Sequence, residues 1–193
     1  MNSAELESSL AFLREAERLK STLRSTHTST GRTESTAEHS WRLGLMSMVF
    51  QSEYPDLDMA KVLKLCIIHD LGEALNGDIP AVLQQQSHPK SDQERSDLMQ
   101  LMNGLPQPVF AEFLTLWEDY EFATSPEARL VKGMDKLETI LQHNQGANPP
   151  DFDYEFNLRY GQKYMEAHPL LGQIRSLLDA DTEQRRRLSA SAG

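Results

Sequence analysis

At 193 residues, 39% of them hydrophobic, the chain has the size and composition of one globular domain with a buried core, which excludes a disordered or fibrous protein. Its 29 acidic against 19 basic residues leave a net charge of −10 and exclude a general binder of nucleic-acid backbone, though not of a small anion in one focused cleft. The single cysteine, Cys66, excludes an internal disulfide, and no apolar run resembles a signal peptide or approaches the roughly 20 residues of a membrane span. A cytoplasmic protein that meets no membrane is the expectation.

Leu, Ala, Glu, Gln and Met abound while Val and Ile are few, a balance that favours helix. Leu6, Leu10, Leu13, Ala16, Leu19 and Leu23 recur at three- and four-residue steps and predict a first amphipathic helix. The polar segment from Ser25 to Glu34 breaks that period and reads as a loop. Ser35-Thr36-Ala37-Glu38 has the capping-box pattern, so a second helix starts there with His39 in its first turn. His39, Leu43, Met46 and Phe50 share one face of it, which turns the imidazole inward.

A third helix begins near Asp56 or Asp58 and carries Val62, Leu65, Cys66 and Ile68, with Gly72 ending or kinking it. Pro80 suits the first position of a short helix, and Ser91-Asp92-Gln93-Glu94 repeats the capping box for another that stops near Gly104. Val109, Phe110, Phe113, Leu114, Trp117 and Tyr120 mark the next. Ser125-Pro126 opens a helix with the stripe Leu130, Val131, Met134, Leu137 and Leu141, and Asp135 falls on its shoulder. One or two helices follow between Tyr154 and Leu178. Residues 1–181 thus form one all-α domain, and 182–193 read as a flexible, frayed C-terminal tail.

The chemistry concentrates in Ile67-Ile68-His69-Asp70-Leu71-Gly72-Glu73. A carboxylate at the end of an apolar run must be hydrogen-bonded, paired or bound to a cation. A His-Asp dipeptide alone fits a core histidine and a paired aspartate equally well. Neighbouring helical residues point about 100° apart, so both reach one ion only at the edge between two faces or where the helix ends. Together with His39 and Asp135, however, His69 and Asp70 make a mixed nitrogen/oxygen shell on three inward-facing helices. Such a shell suits one divalent metal that activates water, whether Mn, Fe, Co, Ni, Zn or Mg. His88 and His143 lack the spacing for a second metal pair.

The pattern Glu38-His39-Ser40, Ile68-His69-Asp70-Leu71-Gly72-Glu73, Gly77-Asp78-Ile79 and Met134-Asp135-Lys136 resembles the HD superfamily of metal-dependent phosphohydrolases, and within it the 5'-deoxynucleotidase branch. The likeness runs from about Leu19 to Gln142 and includes Trp117-Glu118-Asp119-Tyr120-Glu121, a run that carries no ligand. The resemblance implies an orthogonal multi-helix bundle around a central metal held by His39, His69, Asp70 and Asp135. It further implies Glu73 and Asp78 as catalytic acids and Arg24 as the holder of the substrate phosphate. One departure stands out. The family's arginine is followed by a bulky tryptophan near the sugar, and here Ser25 follows.

Arg32 is either a second phosphate contact or a loop anchor paired with Glu34 or Glu38. The expected activity is phosphate removal from (deoxy)nucleoside 5'-monophosphates or another phosphomonoester by a protein that forms a homodimer. The rivals are an HD-type phosphodiesterase, a nucleotide pyrophosphohydrolase, and a catalytically silent nucleotide-binding regulator. A silent binder has no need of general acids, and a two-metal phosphodiesterase needs histidines that this chain does not offer.

Overall fold

The computed structural model describes residues 1–78 and 90–192. Helix α1 (Ser3–Ala16) is closed by a reciprocal cap: Glu5 N–H donates to the Asn2 side chain at 2.9 Å, and Asn2 N–H donates to the Glu5 carboxylate at 2.8 Å. The predicted helix is there but stops at Ala16, leaving Leu19 in a 3₁₀ turn (Glu17–Lys20) and Leu23 in a strand. Leu6, Leu10 and Leu13 face out, as does Leu23, while Phe12 in the helix and Leu19 beyond it reach the core. Phe12 meets Phe113 ring to ring at 6.1 Å.

The segment read as a loop is largely an antiparallel hairpin of β1 (Leu23–His27) and β2 (Thr33–Ser35), with Leu23 opposite Ser35 and His27 opposite Thr33. Its residues are polar and its strands short, so no apolar alternation announces it. Backbone pairing and a buried Thr26 hydroxyl donating to Glu34 at 2.7 Å hold it instead. Gly31 takes φ +85° in the turn, a conformation open to glycine at little cost.

Helix α2 (Thr36–Val49) starts at the predicted cap, with Glu38 N–H on Ser35 Oγ at 3.3 Å and Ser35 N–H on the Glu38 carboxylate at 2.9 Å. Asp58 caps α3 (Met59–Ile68), whose Val62, Leu65, Cys66 and Ile68 are buried. Helix α3 stops at Ile68, so His69 to Gly72 form a turn rather than a helix end at Gly72. The one-turn α4 (Glu73–Asn76) follows directly. A Cβ on Gly72 would stand 2.6 Å from the Glu94 carbonyl oxygen, so glycine here lets α5 (Lys90–Leu101) close onto the turn. That helix already includes Ser91, the residue expected to cap it. Pro80 and His88 lie outside the described residues.

Helix α6 (Gln107–Phe122) leads to α7 (Pro126–Gln145), capped by Ser125. Helix α7 is buried over most of its circumference, with Leu130, Val131, Met134, Leu137 and Ile140 at its heart. Asp135 therefore sits inside the bundle rather than on a half-exposed shoulder. Helix α8 (Tyr154–Arg159), a 3₁₀ turn (Gln162–Ala167) and α9 (Pro169–Ala192) complete the chain. The expected frayed tail is instead helical through Ala192. Thr182 is buried and donates to Asn144 Oδ1 at 2.9 Å, which ties this stretch to α7. The described residues contain no helix long and apolar enough to cross a membrane.

Candidate active site

Three elements deliver four side chains to one point. His39 comes from the first turn of α2, His69 and Asp70 from the turn closing α3, and Asp135 from the middle of α7. The helix end solves the angular problem posed by adjacent ligands, because both residues follow the last helical position. The His39 and His69 rings meet edge to face with centroids 5.4 Å apart. Asp70 Oδ2 lies 3.0 Å from His69 Nε2 and 3.8 Å from His39 Nε2, and Asp135 Oδ1 lies 3.2 Å from His39 Nε2.

The outward atoms of these residues are already occupied. His69 Nδ1 faces the Cys66 carbonyl at 3.0 Å; a carbonyl only accepts, so Nδ1 donates and Nε2 is the nitrogen that points inward. His39 Nδ1 bonds the buried Glu138 carboxylate, whose Oε1 accepts from Arg42 Nε at 2.5 Å. Asp135 Oδ2 accepts from Tyr120 Oη at 2.6 Å and from Lys136 Nζ at 2.7 Å. The two inward imidazole nitrogens are buried and crowd against carboxylate oxygens, at 3.0 Å for His69 and 3.2 Å for His39, without forming a hydrogen bond of good geometry. The ligand atoms of His39, His69 and Asp70 lie within 4.8 Å of one another. A divalent cation satisfies all of these atoms at once, and the Glu138–His39 pair is the carboxylate–histidine support that metal sites employ.

The electrostatics agree. Burial and Arg24 oppose charge on His39, yet Glu138 and Asp135 outweigh them and push it up to about 10. Asp70 is held below the usual carboxylate range against its burial, by His69, His39 and Arg24. Asp135 is likewise held well below it against burial, by Lys136, His39 and His69. A pocket that favours both carboxylates charged and places a proton on a buried imidazole is one that demands positive charge.

His69, Asp70 and Asp135 line a cavity of about 1030 Å³, with the fully buried His39 behind them. Arg24 lines it from β1, donating to Asp70 at 3.4 Å and to Thr139 at 3.2 Å, contacts long enough to exchange for a stronger acceptor. Glu73 lines it from α4, buried, and its carboxylate accepts from the Thr36 hydroxyl at 3.2 Å. Asp78, half-buried, lines it too. Arg32 does not. It is exposed and grips Glu38 with two hydrogen bonds of 3.0 and 2.7 Å, the loop-anchoring alternative. Glu138, Tyr120 and Lys136 were not singled out by the sequence reading. Glu138 and Thr139 lie one helical turn beyond Asp135, a spacing that would have marked them as neighbours on its face.

The arrangement defines a helical metallohydrolase-type centre: imidazole and carboxylate donors beneath an arginine-lined cleft. The chain belongs to the HD domain family, whose model matches residues 16–175. It is 31% identical to the 5'-deoxynucleotidase HDDC2 of Bos taurus over 151 residues, 77% of this chain and 72% of that one. The 5'-deoxynucleotidase HDDC2 of Danio rerio is 31% identical over 83% of this chain and 78% of its own. Among solved structures, a predicted metal-dependent phosphohydrolase from Magnetospirillum magnetotacticum MS-1 superposes with a TM-score of 0.82, at 26% identity and 94% coverage of both chains.

Proposed function

We propose that this protein is a divalent-metal-dependent phosphomonoesterase that removes phosphate from nucleoside 5'-monophosphates. The observation that carries the reading is the convergence of two buried imidazole nitrogens on two carboxylates, 3.0 and 3.2 Å away, at the base of an arginine-lined cavity. The names of the relatives, 5'-deoxynucleotidases over more than two thirds of their length, supply the substrate class.

His39, His69, Asp70 and Asp135 are the residues that would hold the cation. A divalent cation in such a shell supplies Lewis acidity and an acidified water. Arg24 forks onto the phosphate oxygens, releasing its long contacts to Asp70 and Thr139. Glu73, held by Thr36 at the cavity wall, orients the attacking water and takes its proton. As the water oxygen bonds to phosphorus and the bond to the 5' oxygen breaks, Asp78 relays a proton from solvent to that oxygen. Arg32 stays with Glu38 and takes no part.

The exposed apolar residues Trp41, Leu45, Met48 and Val49 follow one another along the outer side of α2, the face a homodimer would cover. A cytoplasmic setting is supported by Cys66, free and buried in α3. The deciding experiment is phosphate release from a panel of nucleoside monophosphates in the presence of Mn, Co, Zn, Fe, Ni or Mg. Turnover of a monophosphate with at least one metal is expected. Turnover only of cyclic or pyrophosphorylated nucleotides would replace the reading with that of a diesterase or pyrophosphohydrolase.

A further inference from the structure

The cavity has a second end that the phosphate chemistry leaves unused. Beyond Lys136, whose ammonium lies 5.4 Å from the Tyr160 ring centroid, the lining turns aromatic: Tyr160, Phe156 and Phe152. The Phe156 and Tyr160 rings lie 5.0 Å apart with planes only 30° from parallel, and the Phe152 ring stands 4.9 Å from that of His143. All three are half-buried and outside the fully buried core.

Tyr160 rests partly against the core, whereas Phe152 and Phe156 lie outside it. Helix α8 is anchored from behind by polar contacts. Buried Asn157 receives His143 Nδ1 on its side-chain oxygen at 2.7 Å, and Arg175 donates to the carbonyls of Asn157 at 2.7 Å and Tyr160 at 2.5 Å. With the backbone held that way, the rings can present their faces to the cavity. Aromatic faces turned toward a charged, water-filled cleft are poorly used unless a flat apolar ligand covers them.

Building on the monophosphatase reading, we propose that Phe156 and Tyr160, extended by Phe152, are the platform on which the nucleobase of the substrate stacks. Arg24 and the four-ligand cluster fix the phosphate end, and the platform fixes the base end. The polar side chains on this rim, Asp151, Asp153, Arg159, Gln162 and Lys163, are all exposed and do not form a rigid hydrogen-bonding template. Recognition by ring faces rather than base edges tolerates every base and favours the larger purines.

The test compares kcat/KM for dAMP, dCMP and the base-less deoxyribose 5-phosphate in wild type, Phe156→Leu and Phe156→Trp. Leucine keeps the apolar bulk and removes the ring, whereas tryptophan enlarges the face. Wild type is expected to favour dAMP over dCMP and both over the sugar phosphate. Phe156→Leu should cut the ratio of dAMP to sugar phosphate about tenfold, mainly through KM, and Phe156→Trp should restore it. An unchanged ratio in Phe156→Leu, or an equal loss on the base-less substrate, would overturn the platform while leaving the phosphatase reading intact. Inactivity on every phosphomonoester would overturn that reading instead. Calorimetric binding of dAMP would then decide the platform, an equal Kd for wild type and Phe156→Leu sinking it.

Discussion

The two ends of the cavity are built in opposite ways. The metal-type end draws its residues from α2, the α3–α4 turn and α7, and nearly every polar atom there has a fixed partner: Glu138 behind His39, Cys66 carbonyl behind His69, Tyr120 and Lys136 behind Asp135. The aromatic end draws on one short helix and the residues flanking it, and its rings are held mainly by ring contacts with one another and with His143, and by Lys136 against Tyr160. Buried charge has to be satisfied atom by atom, so the first end tolerates almost no change. Stacking needs only area, so the second end can vary while keeping its role. Chemistry should therefore break abruptly when the first end is altered, and selectivity should drift when the second is.

The sharpest break is expected on removing a ligand. His69→Ala or Asp135→Ala leaves an open shell and buried carboxylates without a counter-charge, so metal content should collapse and activity with it. Elemental analysis of the purified variants reads this directly. Full metal occupancy in both variants would disprove the shell. Glu73→Ala should separate holding from reacting: metal content stays and turnover falls by roughly 10²–10⁴-fold. A loss under about tenfold, with metal retained, would return Glu73 to the role of a buried partner for Thr36.

The same contrast explains what could be read in the sequence. Local capping signals survived folding: the Ser35–Glu38 capping box, and Asp58 and Ser125 as caps; the His69-Asp70 pair, ambiguous alone, gained its meaning from His39 and Asp135. The hairpin of Leu23–His27 and Thr33–Ser35 escaped because its strands are polar and pair through backbone, which leaves no periodicity in side chains. The α1 leucines misled because their period is helical whether the stripe faces core or solvent. Glu138 was invisible for another reason. Its partners His39 and Arg42 are 99 and 96 residues away, and only the crossing of α2 over α7 joins them. The aromatic wall carries no motif, and nothing in the spacing of Phe152, Phe156 and Tyr160 marks them as cavity-lining.

Two smaller effects probe how the supported end is held. Glu138→Gln removes the charge behind His39 while keeping its shape, and should weaken metal binding by about 10–100-fold without abolishing it. Titration of the metal-free protein gives the number. An unchanged affinity would mean that His39 is oriented by packing alone. Proton linkage supplies the second test. His39 lies near 10 when its carboxylate neighbours face no cation, so at neutral pH the metal must displace a proton from it. A raised value means that binding strengthens as pH rises, by about tenfold per pH unit for one proton released, and levels off as pH approaches 10. Calorimetry in buffers of different ionisation heat counts the proton; zero release between pH 7 and 8 would show that His39 is already neutral in the metal-free site.

The smallest effect is expected between the two ends, at the sugar. Ser25 follows Arg24 on β1 and lines the cavity, at the position where the family resemblance implies a bulky tryptophan. Neither Trp41 nor His27 fills that space: Trp41 is 67% exposed on the outside of α2, and His27 is absent from the lining. An open space beside the sugar neither clashes with a 2'-hydroxyl nor offers it a dedicated polar partner. Discrimination by shape alone is worth only about 10–200-fold even in a snug pocket. Deoxy- and ribonucleoside 5'-monophosphates of one base should therefore both be hydrolysed, with kcat/KM values that differ by less than about a hundredfold. Ser25→Trp should widen that gap in favour of the deoxy form. A wild-type preference above roughly 10³-fold would mean that another wall of the cavity excludes the hydroxyl, and would move sugar selection from β1 to the α8 side.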